Sequence, residues 1–200
     1  MAGDAAPALR NLFDLGEKPA APRRPQTWAH DIYVATDGAY LGTNGPAPST
    51  EGSAGLGIVI ETAEGNRIES GGSPIAVPDN VTAEYAAVVA GMKRAADHGA
   101  GRRVGILVDM EPIARYLNRT ARFVFDASCH DPVDHLVPNS LRAEWRALEQ
   151  TMASCSTVTA ARIPGNRNPA HSAARASVRR ALGCTGSDRP QPGEPVPADD

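Results

Sequence analysis

The sequence predicts an α/β domain: a five-stranded mixed sheet, three antiparallel strands followed by parallel ones, flanked by helices. Two observations carry this. Three strand-like runs follow one another between residues 32 and 77 with turns and a loop between them, as in an antiparallel meander. From residue 80 onward helical and strand-like segments alternate, as they do where strands are joined by helical crossovers.

The elements follow in order. In the first run Ile32, Val34 and Thr36 alternate with Tyr33, Ala35 and Asp37. Residues 38–52, rich in Gly, Pro, Asn, Ser and Thr, read as a loop. Residues 54–61 form the second run, 64–66 a turn and 67–77 the third run, interrupted by Gly71 and Gly72. A helix then opens with Asn80 as its expected N-cap. Tyr85, Val88, Val89, Met92, Ala95 and Ala96 lie on one face of it, and Gly99 is its stop signal. Residues 103–108 are the fourth strand, and 111–117 a short helix that Pro112 is placed to start. Phe123, Val124 and Phe125 suggest a brief strand pairing, and 129–135 a loop. From Ser140 a helix is marked by Leu141, Trp145, Leu148 and Met152. Residues 158–163 are the fifth strand, 164–168 a turn and 169–182 the last helix.

Three parts are expected: a flexible N-terminal arm at 1–30, the folded domain at 31–183, and a disordered Pro-rich tail at 184–200. The arm holds a possible short helix at 8–15, which either packs on the domain, docks elsewhere or stays disordered. With 42% hydrophobic but only 4% aromatic residues, the core must be filled by Ala, Val, Ile and Leu. The net charge of −3 excludes a protein held on nucleic acid by bulk charge. Cys129, Cys155 and Cys184 are odd in number and widely spaced, as in free thiols of a reducing compartment. No run approaches the ~20 apolar residues of a membrane span. A cytoplasmic monomer is therefore expected.

The candidate chemistry rests on acids. Asp37 and Asp109 each follow an apolar run, and Glu84 sits in the second turn of the long helix beside its apolar face. Strand ends and a helix start can aim several carboxylates at one point, as a hard cation such as Mg²⁺ requires. Each acid alone has an ordinary explanation, as a turn residue or an acid near a helix N-terminus. It is their joint order that points to metal binding. Cys129, His130, Asp131, Asp134 and His135 lack the ligand spacing of a zinc site.

The segments Ile32-Tyr33-Val34-Ala35-Thr36-Asp37-Gly38-Ala39, Asn80-Val81-Thr82-Ala83-Glu84-Tyr85 and Val108-Asp109 resemble the type 1 ribonuclease H family, over roughly residues 31–183. The resemblance implies a metal-dependent endonuclease that hydrolyses the RNA strand of RNA–DNA hybrids by two-metal-ion catalysis. It implies Mg²⁺, with Mn²⁺ possible, as cofactor. Asp37 would touch both ions. Glu84 and Asp109 would each hold one or position water, with Glu84 near the 2′-hydroxyl of the RNA. Gly38, Asn44 and Asn80 would contact substrate. The family's fourth acid is replaced: His171 best fills its place, with Ser172 one residue away, and a neutral His suits Mn²⁺ better than Mg²⁺. Asn166 stands where the family has a mobile His, and Met110 where it mostly has Ser. No Lys-rich, Trp-containing handle for hybrids is present; Arg23 and Arg24, or Arg175, Arg179 and Arg180, could compensate. Two alternatives remain open: a nuclease of this fold with another substrate, and a catalytically weak nucleic-acid-binding domain.

Overall fold

A single sheet in the order β3-β2-β1-β4-β5 organises the protein. Its strands are β1 (Ile32–Tyr40), β2 (Gly52–Thr62), β3 (Arg67–Val77), β4 (Arg103–Val108) and β5 (Thr157–Arg162). The helices are α1 (Leu9–Leu15), α2 (Asn80–Gly99), α3 (Glu111–Phe125), α4 (Arg142–Ala153) and α5 (His171–Ala181). Single 3-10 turns lie at Asn139–Leu141 and Gly165–Arg167. This computed structural model describes residues 9–15, 30–41, 52–126 and 137–181. Asn44, Arg23, Arg24, the loop holding Cys129 and His135, and the C-terminal tail lie outside the described residues.

β1 pairs antiparallel with β2, and β2 with β3; β1 with β4 and β4 with β5 are parallel. Alternation along β1 divides the layers. Ile32 and Val34 face α2, α3 and α4, sharing a core with Val88, Met92, Leu117 and Trp145. Tyr33 and Ala35 face the other way, toward Leu9, Phe13, Leu107 and Ala170. Few aromatics serve the core, and Trp145 is the largest of them. Its ring stacks on Tyr116 at a centroid distance of 5.2 Å and meets Tyr85 edge-on at 5.3 Å. Among the described residues no helix is long and apolar enough to cross a membrane.

Three expectations are corrected. β1 does not end at Asp37 but continues to Tyr40, because the long antiparallel partner β2 carries it on: Asp37 pairs with Gly57 and Gly38 with Leu56. α3 does not stop at Leu117 but absorbs Phe123, Val124 and Phe125. Its buried residues Ile113, Ala114, Tyr116, Leu117, Thr120 and Ala121 keep helical spacing throughout, and that packing overrides the β-propensity of the last three. The N-cap of α2 is Asp79, whose Oδ1 accepts from the Thr82 N–H at 2.7 Å, so Asn80 is the first helical residue.

α1 is packed. Leu9 and Phe13 are fully buried, and Phe13 meets His30 and Tyr33 edge-on. The Leu9 N–H at the helix start donates to Glu61 Oε2 at 2.8 Å, and Glu61 is also ion-paired with Arg67. α5 lies on the same face of the sheet, very close to β2. A Cβ on Gly57 would stand 2.1 Å from the Ala170 carbonyl oxygen, so only glycine lets the helix settle there.

Candidate active site

Sheet register creates the site. Ala35 on β1 is level with Leu107 on β4. Two residues on, Asp37 and Asp109 therefore emerge from neighbouring parallel strands on the same face. Glu84 arrives from α2 across the layer. Carboxylate oxygens of Asp37, Glu84 and Asp109 all lie within 4.8 Å of one another. α2 can approach this closely because residue 38 is glycine: a Cβ there would stand 2.4 Å from the Ala83 carbonyl carbon. The Gly38 N–H donates to Glu84 Oε2 at 3.0 Å. The sequence places Gly38 against substrate; in the structure its amide is committed to orienting Glu84.

His171, the first residue of α5, joins from the opposite side. Its Nδ1 is 3.1 Å from Asp37 Oδ2. Of the two candidates for the fourth position, His171 meets the acids and Ser172 is exposed. The His171 side chain is 38% exposed, whereas that of Asp37 is 1% exposed. Asn80 lies exposed one turn before Glu84.

The electrostatics are those of crowded, desolvated acids. Burial pushes Glu84 up to about 9, and the charges of Asp109 and Asp37 push the same way, against the Gly38 hydrogen bond. Burial raises Asp37 to about 6, opposed by His171 and Arg175 and assisted by Asp109. Asp109 is raised by burial as well. Among the described residues, Asp37 Oδ1 and Asp109 Oδ1 are buried and accept no hydrogen bond. Buried carboxylate oxygens without donors are costly unless a cation takes the donors' place. A hard divalent cation is the group this donor set fits: oxygen ligands converging from three elements, with one imidazole beside them. Asp37, Glu84, Asp109 and His171 are the residues that could hold it.

One residue of this site falls at the end of the turn expected at 164–168, where the sequence assigns it no role. Asn168 is buried and donates its Nδ2 to the Thr36 carbonyl at 2.7 Å. Its Oδ1 accepts from the Ala170 N–H at 3.1 Å, and its own carbonyl accepts from the His171 N–H at 3.1 Å. These bonds tie the start of α5 to the residue before Asp37, and start the helix at His171 rather than at Pro169. The available signal was an Asn just before a Pro-initiated helix, a common capping arrangement. Asn168→Ala leaves the Thr36 carbonyl unpaired and should destabilise the protein by about 1–3 kcal/mol, read from urea unfolding.

The order of the sheet and the convergence of the acids define a ribonuclease H-like protein, and comparisons with known proteins agree. A family model described as reverse transcriptase-like matches residues 42–161, and the chain belongs to that family. No curated protein sequence matches. Among solved structures, the N-terminal RNase H domain of a Mycobacterium tuberculosis protein is similar at 20% identity and TM-score 0.53, over 78% of this chain and 98% of that one. LC11-RNase H1, from compost and solved in complex with an RNA/DNA hybrid, is similar at 21% identity and TM-score 0.53, over 76% and 99%. The foamy viral protease-reverse transcriptase, also solved with an RNA/DNA hybrid, is similar at 17% identity and TM-score 0.59; the match covers 80% of this chain and 22% of that one. At these identities the likeness is one of fold.

Proposed function

We propose that the protein is a metal-dependent endonuclease that hydrolyses the RNA strand of RNA–DNA hybrids. The observation that carries this reading is the convergence of Asp37, Glu84 and Asp109 within 4.8 Å, with two of their buried oxygens lacking a donor among the described residues. Asp37, Glu84, Asp109 and His171 would hold two Mg²⁺ ions, which would supply Lewis acidity toward the phosphodiester and its attacking water. The chain's own residues do the rest. Gly38 fixes the orientation of Glu84. Glu84 would lie near the 2′-hydroxyl that distinguishes RNA from DNA. Asn80 and Asn44 would contact the strands. His171 keeps Asp37 from reorienting and, as a nitrogen ligand, favours Mn²⁺ more than a fourth carboxylate would. The same reading has the protein acting as a monomer in the cytoplasm.

The replacement of a fourth acid by His171 is the observation that favours a different nuclease substrate, so the test is a panel. Full-length protein is incubated with end-labelled RNA–DNA hybrid, RNA duplex and DNA duplex, in Mg²⁺ or Mn²⁺. Cutting of the hybrid's RNA strand alone, with 3′-hydroxyl and 5′-phosphate ends, is expected. Preferential cutting of either other duplex would move the substrate assignment. No cutting of any duplex with either metal would leave a binding domain.

A further inference from the structure

α3 leaves the acid cluster with a row of cations. It begins two residues after Asp109 and buries Ile113, Ala114, Tyr116, Leu117, Thr120 and Ala121. On the opposite side Arg115, Arg119 and Arg122 are exposed, at i, i+4 and i+7. The acid on that stripe, Glu111, is ion-paired with Arg115. Arg119 and Arg122 have no ion pair among the described residues.

The helix is held in register with the edge strand. Asn118 Nδ2 donates to the Ala160 carbonyl at 2.9 Å, and Asn118 Oδ1 accepts from the Ala160 N–H at 2.9 Å. Two residues beyond Ala160, at the end of β5, Arg162 Nε donates to the Asp109 carbonyl at 3.2 Å. Cations thus lie at Arg162 beside Asp109 and, beyond Glu111 in the first turn of α3, at Arg115, Arg119 and Arg122. A hollow of about 270 Å³ lies along this border, lined by Glu111, Pro112, Arg115, Tyr116 and Arg119.

We propose that this border is a track for the phosphate backbone of the duplex that enters the acid cluster. The proposal rests on the nuclease reading above and extends it to a surface. Asn118 already uses both backbone groups of Ala160, so β5 does not offer that edge to an added strand. What the surface does offer is guanidinium forks, which match phosphate oxygens. Arg115 to Arg122 spans about 10 Å of helix, at about 1.5 Å per residue. That is about three duplex steps of roughly 3.4 Å. In a chain of net charge −3, attraction for a polyanion must come from local arrangement of this kind.

The test compares wild type, R119Q/R122Q and a control, K93Q/R142Q, which removes two exposed charges from α2 and α4. Binding of labelled hybrid and DNA duplex is followed by anisotropy without divalent metal across a salt series. Hybrid cleavage is measured in parallel, and thermal melts check folding. For R119Q/R122Q the expected results are a log–log salt slope shallower by about 2 than wild type, and a KM raised about tenfold with kcat unchanged. Slope and KM equal to wild type, or equal changes in the control, would overturn the track. A wild type that cuts no hybrid but binds duplex, with the slope lost in R119Q/R122Q alone, would sink the nuclease reading and keep the track. A wild type that binds no duplex would end both.

Discussion

Asp37→Asn should lower hybrid cleavage by roughly 10³-fold or more, equivalent to about 4 kcal/mol of transition-state stabilisation, while leaving the protein folded. Asp37 is fully buried between His171 and the other two acids, and one of its oxygens has no donor among the described residues. Asparagine has almost the same shape. Its oxygen can still face the His171 ring, so the loss would report charge at the metal position and not collapse of the site. kcat falling with little change in hybrid affinity is the expected pattern, measured by single-turnover cleavage beside anisotropy. A residual activity within tenfold of wild type would remove Asp37 from the reaction centre.

Glu84→Gln should make the metal-free protein more stable and at the same time inactive. Glu84 is 4% exposed and its carboxyl is raised from 4.5 to about 9, first by burial and then by Asp109 and Asp37. The sign follows directly. Between these two values the native state holds a proton that the unfolded chain has released, so stability falls as pH rises through that window. Below about pH 4.5 the carboxyl is protonated in both states and the penalty is absent. Glutamine keeps an acceptor for the Gly38 N–H and carries no charge to desolvate. At pH 8 without metal, the substitution should stabilise on the order of 2–5 kcal/mol, a rise of about 5–10 °C in Tm. At pH 5 the two melts should nearly coincide. Added Mg²⁺ or Mn²⁺ should raise the wild-type Tm and leave that of Glu84→Gln nearly unmoved. Equal melts at pH 8 would show that Glu84 bears no desolvation penalty. A site that stores instability until a cation arrives is what a functional centre, as opposed to a structural ion pair, should look like.

Much of this arrangement was legible before any coordinates. The strand runs, the long helix and the order of the three acids are local patterns, and apart from the end of β1 each appeared within a residue or two of its expected place. What was not legible depended on tertiary partners. Nothing in residues 32–40 says that β1 outlasts its pairing with β4; the length of β2 decides it. Phe123 to Phe125 read as strand because β-branched and aromatic residues favour strands; the buried stripe of α3 ends at Ala121, and the helix it anchors runs on through them, with Val124 half-buried against the same core. Asp79 and Asn80 are both good caps, and the sequence alone had no reason to prefer the first. The short helix at the N-terminus could have been free or packed; Glu61 and the aromatic contacts of Phe13 determine that it packs. At the site, His171 and Ser172 were separable only by the direction in which α5 starts. Asn168 sets that direction through bonds to Thr36, 132 positions away.

The most direct test of the central claim is a crystal of the full-length protein soaked in Mn²⁺ and measured for anomalous scattering. Strong peaks are expected between Asp37, Glu84 and Asp109, with His171 at their edge, and weaker or absent peaks in Asp37→Asn. A cluster that stays free of metal at millimolar Mn²⁺, or peaks confined to other acids, would contradict that claim.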